Sequence, residues 1–168
     1  MNDRLQLWQL NTMSRELFTQ QLGGIFEHSP WVAERAWGMR PFHSLLELHE
    51  AMIQVAREAP EEQVLTLLRA HPDLAARIQM TAYSEEEQTG AGLQQLTPEE
   101  FSRFTELNAA YMRKFGFPFI IAVYGKSKSE IAAAMAVRLE HSAAQERRQA
   151  LLEIQRISWL RIQRSIEE

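Results

Sequence analysis

Three times along this chain a hydroxyl residue stands three positions before a glutamate at the head of an apolar-periodic run, and that signal points to a helical protein. Ser44-Leu45-Leu46-Glu47, Thr97-Pro98-Glu99-Glu100 and Ser127-Lys128-Ser129-Glu130 each read as a capping box. In such a box the hydroxyl and the carboxylate satisfy backbone N–H groups that have no partner in the first turn. The first box opens a helix expected to run to about Glu58, ahead of Pro60. A further helix is expected over Glu61 to Ala70, stopped by His71-Pro72 because a residue before proline is disfavoured in the α region. Ser29-Pro30 reads as an N-cap followed by proline at the first helical position, opening a short helix through Trp37. After Thr97, the residues Phe101, Phe104, Asn108, Tyr111, Met112 and Phe115 recur at helical spacing. Gly116 then offers a C-terminal cap, and Pro118 forbids continuation. The box at Ser127 opens a long helical region to about Ile166, with a break expected near His141-Ser142.

The only β-like run is Phe119-Ile120-Ile121-Ala122-Val123-Tyr124, with no second run to pair with it. An extended segment is therefore expected there, and the fold class is all-α. A length of 168 residues, without repeat, linker or low-complexity stretch, predicts one domain over residues 1–168. With 45% hydrophobic residues a compact globule is expected.

Charge and cysteine content narrow the function classes. Eighteen basic residues against 22 acidic ones give a net charge of -4, which argues against a nucleic-acid partner. Arg147-Arg148 is flanked by Glu146 and Glu153 and reads as a solvated helix face. The absence of cysteine excludes disulfides, thiolate nucleophiles and cysteine metal sites, and it fits a reducing compartment. The opening MNDRLQLWQL is too polar for a signal peptide, no apolar run approaches ~18 residues, and the last residues are not a Ser-Lys-Leu address. A soluble cytoplasmic protein without a membrane partner is the expectation.

Four places depart from the pattern of apolar-in, charged-out. His71, in Arg69-Ala70-His71-Pro72-Asp73-Leu74, has its backbone fixed before proline and a ring suited to acid–base work near neutral pH; a surface or capping histidine is the other reading. The run Ser84 to Leu93 sets Glu87 beside Gln88 and then the small residues Gly90, Ala91 and Gly92. It can hold a polar ligand or make a tight helix contact. Lys114 to Ala122 contains Gly116 and Pro118, which force the backbone out of the helix and free amide and carbonyl groups. That segment reads as an aromatic plug, as a binder of a planar amide-rich ligand, or as both. Arg161 falls in the stripe formed by Leu151, Ile154, Ile157, Ser158 and Ile162 at ~100° per residue. A guanidinium there requires an anionic partner: a substrate carboxylate, a structural salt bridge, or solvent reached by snorkelling. Other motifs fail. His49-Glu50 lacks the second histidine of a zinc-protease motif, since Ile53 occupies its place, and His28, His43 and His141 lack metal-ligand spacing. There is no Glu-x-x-His pair, no phosphate-binding loop and no nucleophile elbow.

Taken in order and spacing, these segments resemble the OHCU decarboxylase family, whose substrate is 2-oxo-4-hydroxy-4-carboxy-5-ureidoimidazoline. The resemblance is carried by Phe26-Glu27-His28-Ser29-Pro30-Trp31, Arg40-Pro41-Phe42, His71-Pro72-Asp73-Leu74-Ala75, and Ser84 with Glu87-Gln88 and Ala91-Gly92-Leu93. It continues through Leu107-Asn108, Tyr111, Lys114-Phe115-Gly116-Phe117-Pro118-Phe119 and the closing Arg161, with Ala76 standing where glycine often follows in the family. The resemblance implies an all-helical, typically homodimeric enzyme of urate breakdown that makes (S)-allantoin with neither metal nor organic cofactor. His71 and Glu87 would be the catalytic pair. Pro72, Ser84, Gln88, Phe119, Ile120, Ile121, Ala122 and Arg161 would bind the small-molecule substrate. A helical binding module, or an inactive relative, is the alternative that the presence of both His71 and Glu87 opposes.

Overall fold

The structure, a computed structural model, describes residues 4–72, 74 and 97–168. Its internal packing divides the chain into two compact units, Met1–Ala70 with Gln155–Glu168, and His71–Ile154. The first unit holds β1 (Leu5–Gln6), α1 (Leu7–Thr12), α2 (Arg15–Leu22), α3 (Trp31–Ala36), a 3-10 turn (Trp37–Met39), α4 (Leu45–Glu58) and α5 (Glu61–Ala70), and closes with β2 (Ile166–Glu167). The second holds α6 (Pro98–Phe115) and α7 (Lys128–Arg138). Helix α8 (Ala143–Ser165) contributes its first half to the second unit and the remainder to the first. The fold class is all-α. Among the described residues the one sheet is the two-residue parallel pair of β1 and β2, in register Leu5 to Ile166 and Gln6 to Glu167.

Local chemistry explains most helix starts. Thr97 and Ser127 each accept the backbone N–H three residues on, from Glu100 and Glu130, and both glutamates return the bond to the cap N–H. At Ser44 only half the expected box forms. Its hydroxyl accepts from Glu47 N–H at 3.1 Å, while the Glu47 carboxylate takes the N–H of His43 at 2.7 Å. Ser29 does not cap α3. Pro30 is the cap residue, and the Ser29 hydroxyl donates to the Glu27 carbonyl at 3.1 Å. The break expected near His141-Ser142 is present: α7 ends at Arg138, and α8 begins behind a box made by Ser142 and Gln145. Gly116 caps α6 with φ of 78°, a left-handed conformation that suits glycine, and donates its N–H to Met112 C=O. Helices α1 and α2 carried no box in the sequence. Gln6 and Gln9 cap the first reciprocally, and Ser14 alone caps the second.

Each unit has its own apolar centre. Leu10, Phe18, Leu22, Phe26, Leu48, Met52, Leu67 and Leu68 are buried in the first, each side chain worth about 1.5–3 kcal/mol of burial. In the second, the Tyr111 ring meets Phe115, Phe117 and Phe119 at centroid distances of 4.6, 5.8 and 5.3 Å. Among the described residues no helix is long and apolar enough to cross a membrane.

Candidate functional site

The residues nominated by sequence fall in both units. His71 follows the last residue of α5, half-buried, with Pro72 buried behind it and Leu74 buried beyond. Ser84, Glu87 and Gln88 lie outside the described residues. Phe119, Ile120 and Ile121 are buried and Ala122 is half-buried, in an extended segment with no helix or strand assigned, as expected. Arg161 is buried in the first unit.

The extended segment is gripped at four main-chain groups. Phe119 N–H donates to Asn108 Oδ1 at 3.4 Å, and Ala122 N–H donates to Glu153 Oε2 at 2.9 Å. Arg138 Nη1 donates to the Ile120 carbonyl at 2.6 Å, and Lys126 Nζ donates to that of Ala122 at 2.9 Å. By contrast, none of the described hydrogen bonds uses either backbone group of Ile121. Buried main-chain groups are almost always paired, so the unused N–H and C=O of Ile121, a residue only 6% exposed, set it apart from its gripped neighbours.

Behind the segment lies a buried ionic cluster. Arg138 Nε donates to Glu146 Oε1 at 2.7 Å, the Tyr111 hydroxyl donates to the same oxygen at 2.6 Å, and His141 Nδ1 is 2.9 Å from Oε2. Burial, together with the Glu146 hydrogen bond, pushes the Tyr111 hydroxyl well above its ordinary range, so it remains a donor. The Arg138 guanidinium also lies over the Phe119 ring at 4.4 Å. Glu146 is fully buried and Glu153 nearly so, which corrects the solvated-face reading of the acids around Arg147-Arg148; Arg148 itself is exposed. The helical wheel carried a signal: Glu146, Ala150, Glu153, Ile154, Ile157 and Arg161 share one buried stripe of α8.

Arg161 has a charge partner within its own unit. Its Nη1 donates to the Ile25 carbonyl at 3.1 Å and its Nη2 to Glu27 Oε1 at 3.2 Å. The demand for an anion in the apolar stripe is thus met internally, and assigning Arg161 to substrate rests on family resemblance. The first unit also carries a cavity of about 410 Å³ lined by His49, Ile53, Arg57 and Gln155 among others. No residue nominated by sequence lines it. Among the described residues no group of three or more His, Asp or Glu is arranged to hold a metal ion.

Comparison with known proteins places nearly the whole chain in a family. The family model for OHCU decarboxylase matches residues 11–163. A 2-oxo-4-hydroxy-4-carboxy-5-ureidoimidazoline decarboxylase of Haloferax volcanii is 46% identical over 158 residues, covering 94% of each chain. That of Halalkalicoccus jeotgali is 44% identical over 160 residues, covering 95% of this chain and 91% of its own. A crystal structure of (S)-allantoin synthase superposes with a TM-score of 0.77 at 32% identity; it covers 96% of this chain, which spans 54% of that one. Helical fold, ordered motifs and end-to-end similarity agree, and the chain belongs to the OHCU decarboxylase family.

Proposed function

We propose that this protein decarboxylates 2-oxo-4-hydroxy-4-carboxy-5-ureidoimidazoline to (S)-allantoin in urate breakdown. The observation that carries the reading is the near end-to-end similarity to the two archaeal decarboxylases, at 44% and 46% identity. The unused backbone N–H and C=O of Ile121 support it, because a ureido-imidazoline presents adjacent N–H and C=O groups that such a residue can pair with.

The chemistry needs orientation and protons more than an added electron sink. Breaking the bond to the carboxylate releases carbon dioxide and leaves a pair that forms a C=C bond to the neighbouring ring carbon. The C=N electrons move to nitrogen, which takes a proton. The hydroxyl proton then leaves as the ureido-bearing carbon is protonated, on one face, to give a single enantiomer. The substrate supplies its own sink, so no cofactor is invoked. His71, half-buried and anchored before Pro72, manages the proton at the hydroxyl and carboxylate-bearing carbon. Glu87 holds ring or ureido N–H groups and assists proton transfer. Pro72, Ser84, Gln88, Phe119, Ile120, Ile121, Ala122 and Arg161 fix the substrate, and positioning of this kind removes a large part of a barrier. The working form is a cytoplasmic homodimer with a small-molecule substrate and no nucleic-acid or membrane partner.

The test is incubation of chelated protein, without added cofactor, with urate, urate oxidase and hydroxyisourate hydrolase. Accelerated formation of optically active allantoin is expected. Unchanged spontaneous, racemising decay would instead mark a binding module or an inactive relative, and restoration of lost activity by a defined metal would overturn the cofactor-free mechanism.

A further inference from the structure

The grips on the extended segment have a geometric consequence. A peptide group is planar, and in the trans form its C=O and N–H point in opposite directions. Among the described residues the only cis bond is Arg40–Pro41, so the two peptide groups flanking Ile121 are trans. Arg138 pulls on Ile120 C=O, and therefore the Ile121 N–H of the same peptide group aims away from Arg138. Glu153 takes the Ala122 N–H, so the Ile121 C=O aims away from Glu153.

We infer that Arg138 and Glu153 are the positioning residues that make Ile121 a fixed donor–acceptor pair reading the amide or ureido edge of the ligand. This rests on the proposed decarboxylase reading for the identity of the ligand. Each clamp is itself held by a further side chain. Glu146 holds the Arg138 guanidinium through Nε, and Tyr111, kept protonated by burial, holds Glu146 in turn. Gln149 Nε2 donates to the second oxygen of Glu153 at 2.9 Å. Both clamps are buried and charged, so their hydrogen bonds to the backbone are stronger than neutral ones. A cation grips a carbonyl and an anion grips an N–H, which is the polarity needed to present one donor and one acceptor from a single residue. A lone buried ion pair would satisfy neither backbone group.

The test uses the intact protein with allantoin as the probe ligand. In the wild type, the Ile121 amide resonance shifts on allantoin titration. Glu153→Leu, which deletes the acceptor while filling the space, is expected to leave helical circular dichroism intact. It should abolish that shift and raise the allantoin Kd and the KM by on the order of tenfold. Glu153→Gln, which retains an acceptor oxygen, should recover most of the loss. Arg138→Lys keeps the charge opposite Glu146 but cannot bridge that carboxylate and the Ile120 carbonyl as the planar fork does. It is expected to weaken allantoin binding several-fold, and it decides the matter should Glu153→Leu fail to fold. Wild-type KM and an unaltered Ile121 shift in a folded Glu153→Leu or Arg138→Lys protein would overturn the clamps while the decarboxylase reading stands. An inactive wild type whose Ile121 amide still responds to allantoin, and loses the response in Glu153→Leu, would sink the catalytic reading and support the clamps.

Discussion

Each unit of this protein buries an arginine that is shared between a glutamate and a main-chain carbonyl of an irregular segment. In the first, Arg161 links Glu27 and Ile25; in the second, Arg138 links Glu146 and Ile120. The difference lies in the segment being held. Around Ile25 the backbone closes its own turns, with Ile25 N–H on Leu22 C=O, Ser29 N–H on Phe26 C=O and Val32 N–H on Ser29 C=O. From Phe119 to Ala122 no such backbone pairing is described, the nearest being Lys126 N–H on Val123 C=O, and side chains supply the grips. A buried arginine in an apolar stripe is therefore no signature of a substrate anion by itself. What separates a brace from a binding device is whether the chain it anchors still has groups to offer.

The largest effect expected bears on the second unit. His71→Ala should lower kcat by roughly 10²–10⁴, the range for a general acid–base group, with helical circular dichroism and melting nearly unchanged, since the ring is half-buried at a helix end. Near-normal turnover in the folded variant would remove His71 from the mechanism.

Next comes the arginine pair itself. Arg161→Ala and Arg138→Ala each take the guanidinium away from a buried glutamate, a loss of up to about 3–5 kcal/mol that melting curves would register. If Arg161 also touches the ligand, Arg161→Ala should weaken allantoin binding by roughly 1.5–3 kcal/mol in calorimetric titration, and Arg161→Lys should recover little. Early melting with normal allantoin affinity would make Arg161 a brace alone and widen the contrast with Arg138.

The smallest effect concerns the other buried histidine. His49 lies 3.0 Å from Ser158 Oγ and 5.2 Å from the Trp159 ring centroid. Burial pulls its pKa from 6.5 to about 4, helped by the Arg57 charge and opposed by a hydrogen bond to the Gln155 backbone. The unfolded chain thus takes the proton first as pH falls. The contribution of neutral His49 is complete above about pH 6.5 and is lost on descending towards about pH 4. Unfolding free energies from urea titrations at about pH 7.5 and about pH 5 should differ by on the order of 2 kcal/mol more in the wild type than in His49→Gln. Equal pH dependence would refute it.

How much of this was legible follows from the range of each interaction. Capping at Ser44, Thr97 and Ser127 is decided within four residues, so those helix starts were readable. The first helix escaped because Gln6 caps it, a residue type that sequence reasoning does not expect there. Glu146 and Glu153 were misread because a glutamate beside arginines looks solvated until a carbonyl-gripping guanidinium 8 residues away, or an amide 31 residues away, is folded against it. The extended segment 119–122 was visible through Gly116 and Pro118, since both act on their own backbone. The orphan groups of Ile121 could not be seen without the grips on either side.

The parallel pairing of Leu5–Gln6 with Ile166–Glu167, reinforced by Gln6 Nε2 on Glu167 Oε2 at 2.9 Å, has a topological consequence. Paired strands lie about 4.8 Å apart, so residues 4 and 168 are separated by little more than the length of the pair. In a chain made as residues 4–168, a linker of a few residues would join them without stretching either strand, turning an open string into a ring. Such a ring would have fewer unfolded conformations and the same native bonds, so backbone cyclisation should raise stability through the denatured chain alone.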